Sequence, residues 1–360
     1  MSFRVFAYIG SRALGDFTLF SMFVSSVADM FDDSELTVYY RNDRPYKKSI
    51  VSCIPNVKHT LEPSSDAASF PIDVFDGAGY RDRFLKVELE GPKLRRTELV
   101  LVQSMFREGM LNSIPLTTFV PPSEKIEPSD QALMDLGLDP DRWVATVYWK
   151  EAGYSFRPAD VRRDVADAEP YLAVIRHIIE ELGGQVIRLG HPSPTRLPKM
   201  KGLIDLANIP GSEWLQMYSV WISRFMLTTC SGPQAYGSAF GVPTVTTDHL
   251  DFGGLFRDHD YVVPKGRVVG DRVYRGMESY LYNLENPING WETGDYIHNT
   301  AEELVAAAVE MYKSTADCLG WRAPKPVTPP DKRPNSVTLP VPVIPVRPEL
   351  LVPPSQRPIV

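Results

Sequence analysis

The first third of the chain alternates short apolar runs with longer segments that mix apolar and polar positions. The run FRVFAYI has the length of a buried strand, and FTLFSMFVSSVADMF is a helical segment so apolar that it must be buried. The runs ELTVYY, PIDVFD and ELVLVQ are rich in β-branched and aromatic residues and predict strands, whereas RPYKKSIVSCI predicts a short helix. This alternation predicts a parallel sheet with helices on both faces.

The same alternation restarts after a polar segment. FVPPSEKIEPSDQ carries three prolines and is predicted to cross between two domains. Beyond it, strands are predicted at WVATVYW, QVIRLG, GLIDLA, RFMLTTC and VPTVTT, and helices at EPYLAVIRHIIEELGG and GSEWLQMYSVWI. A closing helix is predicted from TAEEL onward, where Thr300 and Glu303 have the spacing of a capping box.

These patterns predict a chain of two domains and a tail. Residues 1–125 and 126–321 are expected to form doubly wound, Rossmann-like α/β domains that face each other across a crevice. Residues 322–360 contain 12 of the 32 prolines, which exclude a regular helix or a central strand. The apolar segment TLPVPVIPVRPELLVPP favours docking across the two domains, and a disordered or partner-binding tail of polyproline type is the alternative.

Composition fits a globular protein and excludes several classes of function. A chain of 360 residues with 43% hydrophobic residues is able to bury two cores. The net charge of −7 disfavours nucleic acid as the main partner, because neutralising phosphates requires a basic surface. The three cysteines lack metal-ligand spacing, and no apolar run reaches the length of a membrane span. We therefore expect a cytoplasmic protein without a signal peptide or a transmembrane segment.

In doubly wound domains, a ligand is expected in the crevice at the carboxyl ends of the strands. In the first domain, the loop GSRALGD follows the first strand and contains Arg12, Gly15 and Asp16. Asp16 has two interpretations: an N-cap of the helix that follows, or a general base that accepts a proton from an attacking hydroxyl. Arg12 is placed to meet an anionic ligand.

Polar residues also follow the strands of the second domain. The residues after WVATVYW are Lys150, Glu151 and Tyr154, which either face the crevice or lie in a solvated loop. Arg188 lies among apolar residues at the end of QVIRLG, shortly before Gly190. A buried arginine needs a carboxylate or a phosphate as its partner. Asp205, in the neighbouring predicted strand, is a candidate for that partner, and a ligand contact is equally compatible with the pattern.

The segment TTCSGPQAYGSAFG runs from a predicted strand through a turn into a predicted helix. We assign five of its residues to a diphosphate-binding site: Ser231, Gly232, Pro233, Gln234 and Tyr236. The amides of Ser231 and Gly232 would face an anion at the start of the helix, where the free N–H groups and the helix dipole attract negative charge. A nucleophile at Cys230 or Ser231 is disfavoured, because the G-x-S-x-G elbow and a histidine relay are both missing.

An acidic pattern raises the question of a metal site. Asp258, His259 and Asp260 have the D-x-D form that binds a divalent cation on a nucleotide diphosphate, and DPD at Asp139 repeats it. Because patterns of this length arise readily by chance, we interpret both as polar loops, the first of them near the crevice. Neither a metal nor a cofactor is expected.

Several of these segments resemble a known group of proteins. VYWKEAGY, QVIRLG, LIDLA and TTCSGPQAYGSAFGVPTV occur in order within residues 143–247 and resemble the donor-binding half of a family of bacterial glycosyltransferases of GT-B fold. IGSRALGDF is similar to the start of heptosyltransferases, whose Gly-Asp turn supplies the catalytic carboxylate, and Asp16 is the matching residue. The chain departs from the family at Tyr148 and Lys150, where His and Arg are usual, and at Leu206, where Tyr is common.

The resemblance implies a hexosyl- or related transferase of glycan biosynthesis. Such an enzyme moves a sugar from a nucleoside-diphosphate sugar to a hydroxyl of a glycan, glycolipid or protein acceptor. It implies inversion at the anomeric carbon without a metal, with Asp16 as the base and with Lys150, Arg188 and the Ser231–Gly232 amides stabilising the leaving diphosphate. Two alternatives remain: a sugar-nucleotide epimerase of the same fold, and a non-catalytic interaction protein that uses the Pro-rich tail.

Overall fold

A computed structural model of the chain describes residues 3–61, 99–102, 114–151, 164–165, 167–192, 195–249, 257–286, 295–316 and 352–357. These residues belong to two compact units, with the division between Val120 and Pro121. Three predictions lie outside the described residues: the strand PIDVFD, the site residue Tyr154 and most of the Pro-rich tail.

The first unit is built on a sheet of four parallel strands. In chain order they are β1 (Phe3–Ile9), β2 (Ser34–Tyr40), β3 (Val57–Leu61) and β4 (Leu99–Val102), and they lie side by side in the order β3-β2-β1-β4. The strands predicted at FRVFAYI, ELTVYY and ELVLVQ are confirmed as β1, β2 and β4. The pattern misses β3, because this edge strand is mostly exposed and has no buried apolar run.

Two helices of the first unit follow β1 and β2: α1 (Leu14–Asp29) and α2 (Pro45–Ser52). The apolar face of α1 is buried, as its composition predicts. Ala13 is the N-cap of α1 and makes no side-chain capping bond, so the interpretation of Asp16 as an N-cap is wrong. The chain turns at Ser11, whose Oγ accepts from Ala13 N at 3.2 Å, and the helix begins before the predicted start. Asp16 therefore lies in the first turn, where a carboxylate interacts favourably with the helix dipole.

The segment predicted to cross between domains is mostly helical. Helix α3 (Ser123–Asp135) begins directly after two of the prolines, at a position where proline is tolerated. It packs on a helix of the second unit through two hydrogen bonds, from Trp214 Nε1 to Ser129 Oγ and from Tyr218 OH to Asp130 Oδ1, both 2.7 Å long. The polar composition thus reflects an amphipathic helix rather than a free linker.

The second unit contains a larger parallel sheet. Its strands are β5 (Val144–Tyr148), β6 (Gln185–Arg188), β7 (Leu203–Asp205), β8 (Phe225–Thr229), β9 (Thr244–His249) and β10 (Tyr261–Pro264). They are arranged in the order β10-β9-β8-β5-β6-β7, which is the doubly wound order of Rossmann folds. The first five match the predicted strands, although β7 is shorter than GLIDLA because a 3₁₀ turn begins at Leu206.

Five helices accompany this sheet: α4 (Glu169–Glu180), α5 (Glu213–Ile222), α6 (Gln234–Phe240), α7 (Gly276–Glu285) and α8 (Ala301–Ser314). Apolar residues of α4 and α8 form one buried core with β5, β6 and β8. The predicted capping box of α8 is confirmed, because Thr300 Oγ1 accepts from Glu303 N at 3.2 Å and Thr300 N donates to the Glu303 carboxylate at 2.8 Å. The N-terminus of α8 lies beside the end of β9, because Asn299, just before the helix, is hydrogen-bonded to Asp248.

The second unit also carries elements that the hydrophobic pattern does not reveal. A small antiparallel sheet consists of β11 (Gly266–Val269), β12 (Arg272–Tyr274) and β13 (Asp295–Ile297). These strands have only three or four residues each, which is too short for a periodic signal. The described end of the Pro-rich tail is also ordered on this unit: Ser355 N donates to Glu310 Oε1 at 2.7 Å, and the Arg357 guanidinium donates to the carbonyls of Asp258 and Asp260.

Candidate functional site

The strand order of the second unit defines where a ligand site is expected. The chain leaves β5 toward β6 and β7 on one side and then reaches β8, β9 and β10 on the other. In doubly wound sheets, ligands bind outside the carboxyl ends of the strands where the order reverses. That point lies between β5 and β8, and two predicted segments follow these strands: Lys150–Glu151 and Ser231–Pro233.

The turn between β8 and α6 presents two unused backbone donors. Its carbonyls are engaged locally, because Gln234 N donates to Ser231 O at 3.0 Å and Ala235 N donates to Gly232 O at 3.1 Å. The amides of Ser231 and Gly232 donate to no residue that the structure describes, and both residues are half-buried. Pro233 lies directly before the first helical residue. Two adjacent free amides ahead of a helix form a suitable site for an anion.

Two hydrogen bonds join the strand ends on either side of the reversal. Tyr148 OH and Ser231 Oγ lie 3.2 Å apart, and Lys150 N donates to Thr229 Oγ1 at 3.1 Å. Tyr148 is buried, with 5% of its surface exposed. The turn that carries the free amides is therefore held in place by the end of β5.

Gly190 follows β6 in a conformation that favours glycine. Its φ is +150°, and a Cβ added there would lie 3.2 Å from the Cβ of Ala207, closer than an ordinary contact. Its amide donates to Gln216 Oε1 at 2.8 Å. Gly190 thus allows the end of β6 to pack closely against the residues after β7.

Arg188 lies at the centre of a buried charge network. Its Nη2 is 2.7 Å from Glu151 Oε1, and its Nη1 is 3.4 Å from Asp205 Oδ2 and donates to the carbonyl of Thr195 at 2.8 Å. The guanidinium also covers the ring of Trp149 at 4.1 Å. Burial lowers the pKa of Arg188, and the carboxylates of Asp205 and Glu151 act in the opposite direction. The predicted pairing with Asp205 is thus present, and Glu151 is a closer partner.

Lys150 is anchored by a residue that the sequence pattern does not identify. Its Nζ lies 2.8 Å from Asp164 Oδ1, and 21% of its side chain remains exposed. Val165 N donates to Lys150 O at 2.7 Å, so the two segments run side by side. Asp164 lies far along the chain from Lys150, and only the folded chain brings them together. The Lys150 side chain is therefore both paired within the chain and partly exposed.

Gln234 and Tyr236 differ from Ser231, Gly232 and Pro233 of the same segment because they are buried. Gln234 Nε2 donates to Thr246 Oγ1 at 3.1 Å, and Tyr236 is 5% exposed. In this arrangement Gln234 links α6 to β9.

The first unit carries a separate cluster of charges at the carboxyl ends of β1 and β2. The Asp43 carboxylate forms ion pairs with two cations, with Lys47 Nζ at 2.8 Å and with Arg12 Nε at 3.3 Å. The Lys47 side chain is fully buried and lies 5.0 Å from the centre of the Phe17 ring. Burial acts to raise the pKa of Asp43, but the hydrogen bond and charge of Lys47, with the charge of Arg12, lower it overall. The sequence pattern identifies Arg12 and misses both Asp43 and Lys47.

Asp16 lies in the same region and is organised differently. It follows the half-buried Gly15 in the first turn of α1 and is exposed. Its carboxylate makes no hydrogen bond or ion pair with any residue that the structure describes. A free carboxylate at the carboxyl end of a strand is available to accept a proton from a bound molecule.

The acidic D-x-D pattern lies at the other end of the second sheet. Asp260 directly precedes β10, and its carboxylate accepts from Thr244 N at 2.9 Å and from Arg257 N at 2.7 Å. Because Thr244 begins β9, this loop lies at the amino ends of the strands. The expectation of a polar loop near the crevice is therefore wrong in its position, since the ligand edge of such a sheet is the opposite one.

Among the residues that the structure describes, no group of three or more His, Cys, Asp or Glu side chains is arranged to hold a metal ion. In the same ranges, no helix is both long enough and apolar enough to cross a membrane.

The comparisons with known proteins concern the fold. No protein-family model and no curated protein matches the chain. Among solved structures, it is similar to the glycosyl transferase family 9 from Veillonella parvula DSM 2008, with a TM-score of 0.55 and 14% identity over 86% of this chain and 98% of that one. It is also similar to the E. coli ADP-heptose LPS heptosyltransferase II, with a TM-score of 0.47 and 11% identity over 74% and 91% of the two chains. The first likeness establishes that the chain has the mixed α/β fold, with parallel sheets, of a glycosyl transferase family 9 structure.

Proposed function

We propose that the chain is a glycosyltransferase of GT-B type that moves a sugar from a nucleoside-diphosphate sugar to an acceptor hydroxyl. The observation that carries this proposal is the pair of free amides at Ser231 and Gly232, at the point where the strand order of the second sheet reverses. The fold shared with a glycosyl transferase family 9 structure supports it. Cys53 and Cys230 form no disulfide in the part of the chain that the structure describes, which fits a reducing, cytoplasmic setting.

In this proposal, the second unit binds the donor and stabilises the leaving group. When the bond between the sugar and the phosphate breaks, negative charge develops on the diphosphate while the sugar passes through an oxocarbenium-like state. The Ser231 and Gly232 amides, together with the partly exposed ammonium of Lys150, neutralise that charge without a metal. Arg188 has its donors satisfied inside the chain, so it positions Glu151 and the loop after β5.

The first unit supplies the base. Asp16 accepts the proton of the acceptor hydroxyl, whose oxygen attacks the anomeric carbon from the face opposite the diphosphate, so the configuration inverts. Its exposed carboxylate, which has no partner among the described residues, supports this role. Arg12 borders the acceptor, which is a glycan, a glycolipid or a protein. Closure of the two domains would exclude water from the reaction.

A panel of nucleotide sugars and nucleoside diphosphates tests the proposal by thermal shift, with and without Mg²⁺ or Mn²⁺. A ligand at 100 times its dissociation constant adds about 2.7 kcal/mol to the free energy of unfolding. The resulting shift in the melting temperature of the protein is readily measured. We expect a shift without metal, and we expect Ser231→Pro to abolish it, because proline removes one amide donor. Ser231→Ala keeps the amide but loses the contact with Tyr148 OH, so it should reduce the shift without abolishing it. If no compound shifts the melting temperature under any condition, the proposal is wrong.

A further inference from the structure

A histidine and an aspartate lie together at the carboxyl edge of the second sheet, and the proposed function does not use them. Asp248 is the penultimate residue of β9, and its side chain is 2% exposed. Its backbone has a φ of +49°, a conformation that is uncommon outside glycine and that carries strain. His298 lies just before α8, and its side chain is 26% exposed.

The Asp248 carboxylate is held by a residue of α4 and by a residue that precedes α8. Tyr171 OH, on α4, donates to Oδ2 at 3.0 Å, and the backbone amide of Asn299 donates to Oδ1 at 2.8 Å. The Asn299 side chain accepts from Asp248 N at 2.6 Å, which closes a reciprocal pair. These bonds fix both the strained backbone of Asp248 and the direction of its carboxylate.

His298 presents one ring nitrogen to this carboxylate and leaves the other free. Nδ1 is buried, and it lies 3.3 Å from Asp248 Oδ1, within ion-pair distance once the ring is protonated. Nε2 makes no hydrogen bond to any residue within the described ranges. A carboxylate at one nitrogen orients an imidazole and favours its charged form, so that the other N–H points toward a ligand.

Asp248 leaves β9 beside the strand that leads into the turn with the free amides. Thr247 of β9 is paired with Thr229 of β8, so Asp248 and the residues after Thr229 leave neighbouring strands at the same level. Neighbouring strands are about 4.8 Å apart, a distance that a diphosphate spans. An anion bound to the amides of Ser231 and Gly232 therefore lies within reach of a side chain held at Asp248.

We infer that His298, oriented by Asp248, is a second anion-binding group for the diphosphate, and that it donates a hydrogen bond from Nε2 to a phosphate oxygen. This inference rests on the proposed function for its physiological ligand. In the transfer, the electron pair of the broken sugar–phosphate bond stays on the phosphate oxygen, and the imidazolium stabilises that charge without giving up its proton. Asp248 is a positioning residue, since it acts through His298.

The charged state of His298 responds to several groups. The titratable or charged side chains on the neighbouring elements include Asp248 and His249 of β9, Tyr171 of α4, Glu303 of α8, Asp295 and Tyr296 of β13, Arg267 of β11, Arg275 before α7, and Lys265 before β11. Of these side chains, Asp248 lies within ion-pair distance of the His298 ring. Glu303 is itself paired with Arg275 at 3.1 Å, which reduces its influence on the imidazole. Anion binding by His298 should therefore be stronger for the imidazolium form than for the neutral ring.

Inorganic pyrophosphate is the probe for the test, because it requires no knowledge of the donor sugar. We expect His298→Gln to weaken pyrophosphate binding by about tenfold at pH 6, the effect of one lost charge-assisted hydrogen bond, and to change it little at pH 8.5. Comparing the variant with the unmodified protein at each pH cancels the titration of pyrophosphate itself. Calorimetry gives the affinities, and circular dichroism shows whether the variant is folded.

The chain offers a matched control in a second His–Asp pair. His259 Nε2 lies 3.7 Å from Asp260 Oδ1 at the amino edge of the same sheet, away from the turn. His259→Gln should leave pyrophosphate affinity unchanged. Equal effects of the two substitutions, or an unchanged affinity in His298→Gln, would overturn the inference.

A nuclear magnetic resonance titration of the unmodified protein provides a measurement that does not depend on a variant. Pyrophosphate should shift the Nε2 resonance of His298 and raise the pKa of its ring, while the His259 resonances stay in place. Unshifted His298 resonances at saturating pyrophosphate overturn the inference. If pyrophosphate shifts His298 but no nucleotide sugar binds, the inference stands and the proposed function fails.

Discussion

The two parallel sheets of this protein have the same arrangement around their first strand, but their carboxyl edges carry different kinds of polar groups. In the second unit, Arg188, Glu151 and Asp205 form a buried network, and the free donors are backbone amides. In the first unit, Asp16 is exposed and has no partner among the described residues. A rigid set of donors suits a ligand whose charge must be held in place, whereas a free carboxylate suits proton transfer. The two edges therefore present groups suited to different chemistries.

The largest expected effect concerns the exposed carboxylate. We expect Asp16→Asn to lower kcat for sugar transfer by about 10² to 10⁴-fold, because the amide cannot accept the proton of the acceptor hydroxyl. Donor binding, measured by thermal shift, should not change. Asp32→Asn, an exposed position beyond the far end of α1, is the control. Retained turnover in Asp16→Asn would remove the functional contrast between the two edges.

The next effect concerns the buried network. Arg188→Met leaves the carboxylate of Glu151 buried without its cation, so the free energy of unfolding should fall by about 3–5 kcal/mol in urea denaturation. Adding Glu151→Gln to this variant removes the uncompensated charge and should recover part of the loss. A decrease below about 1 kcal/mol, the range of an exposed ion pair, would show that this edge is no more rigid than the other.

The smallest effect concerns the bond that joins the two strand ends. Tyr148→Phe removes the contact with Ser231 Oγ and should lower the free energy of unfolding by about 0.5–1.5 kcal/mol. It should also weaken nucleoside diphosphate binding, because the turn with the free amides loses an anchor. Tyr218→Phe removes a hydrogen bond to Asp130 on α3 and provides the comparison. If both variants bind the diphosphate equally well, Tyr148 does not position the turn.

The sequence pattern predicts the elements that bury a continuous apolar run. The strands β1, β5 and β8 and the helix α1 are examples, and each is buried along most of its length. The pattern fails for β3, β11, β12 and β13, which are short or lie at an exposed edge. It also misses the helix α3, although the division between the two units falls at Val120–Pro121, within the predicted crossing segment.

The candidate site likewise combines features that the sequence predicts and features that only the folded chain shows. The positions of Ser231 and Gly232 after a strand and before a helix are predictable from composition and turn residues alone. Their unused amides are a property of the folded turn. The partners Asp164 and Asp248 have no local signal, because each meets a residue from another segment of the chain. Asp43 meets Lys47 only four residues later, but its second partner, Arg12, comes from the loop after β1.

By itself, the sequence determined that the chain alternates strands and helices, that its sheets are parallel, and which polar residues follow the strands. Hydrophobic periodicity is a local property, and so are turn and capping preferences, which is why they can be read along the chain. Only the tertiary structure decided which of those residues pair with one another and which stay free. Arg188 meets carboxylates from two other segments, whereas Asp16 meets none among the described residues. That distinction depends on contacts between distant residues, and such contacts exist only when the chain is folded.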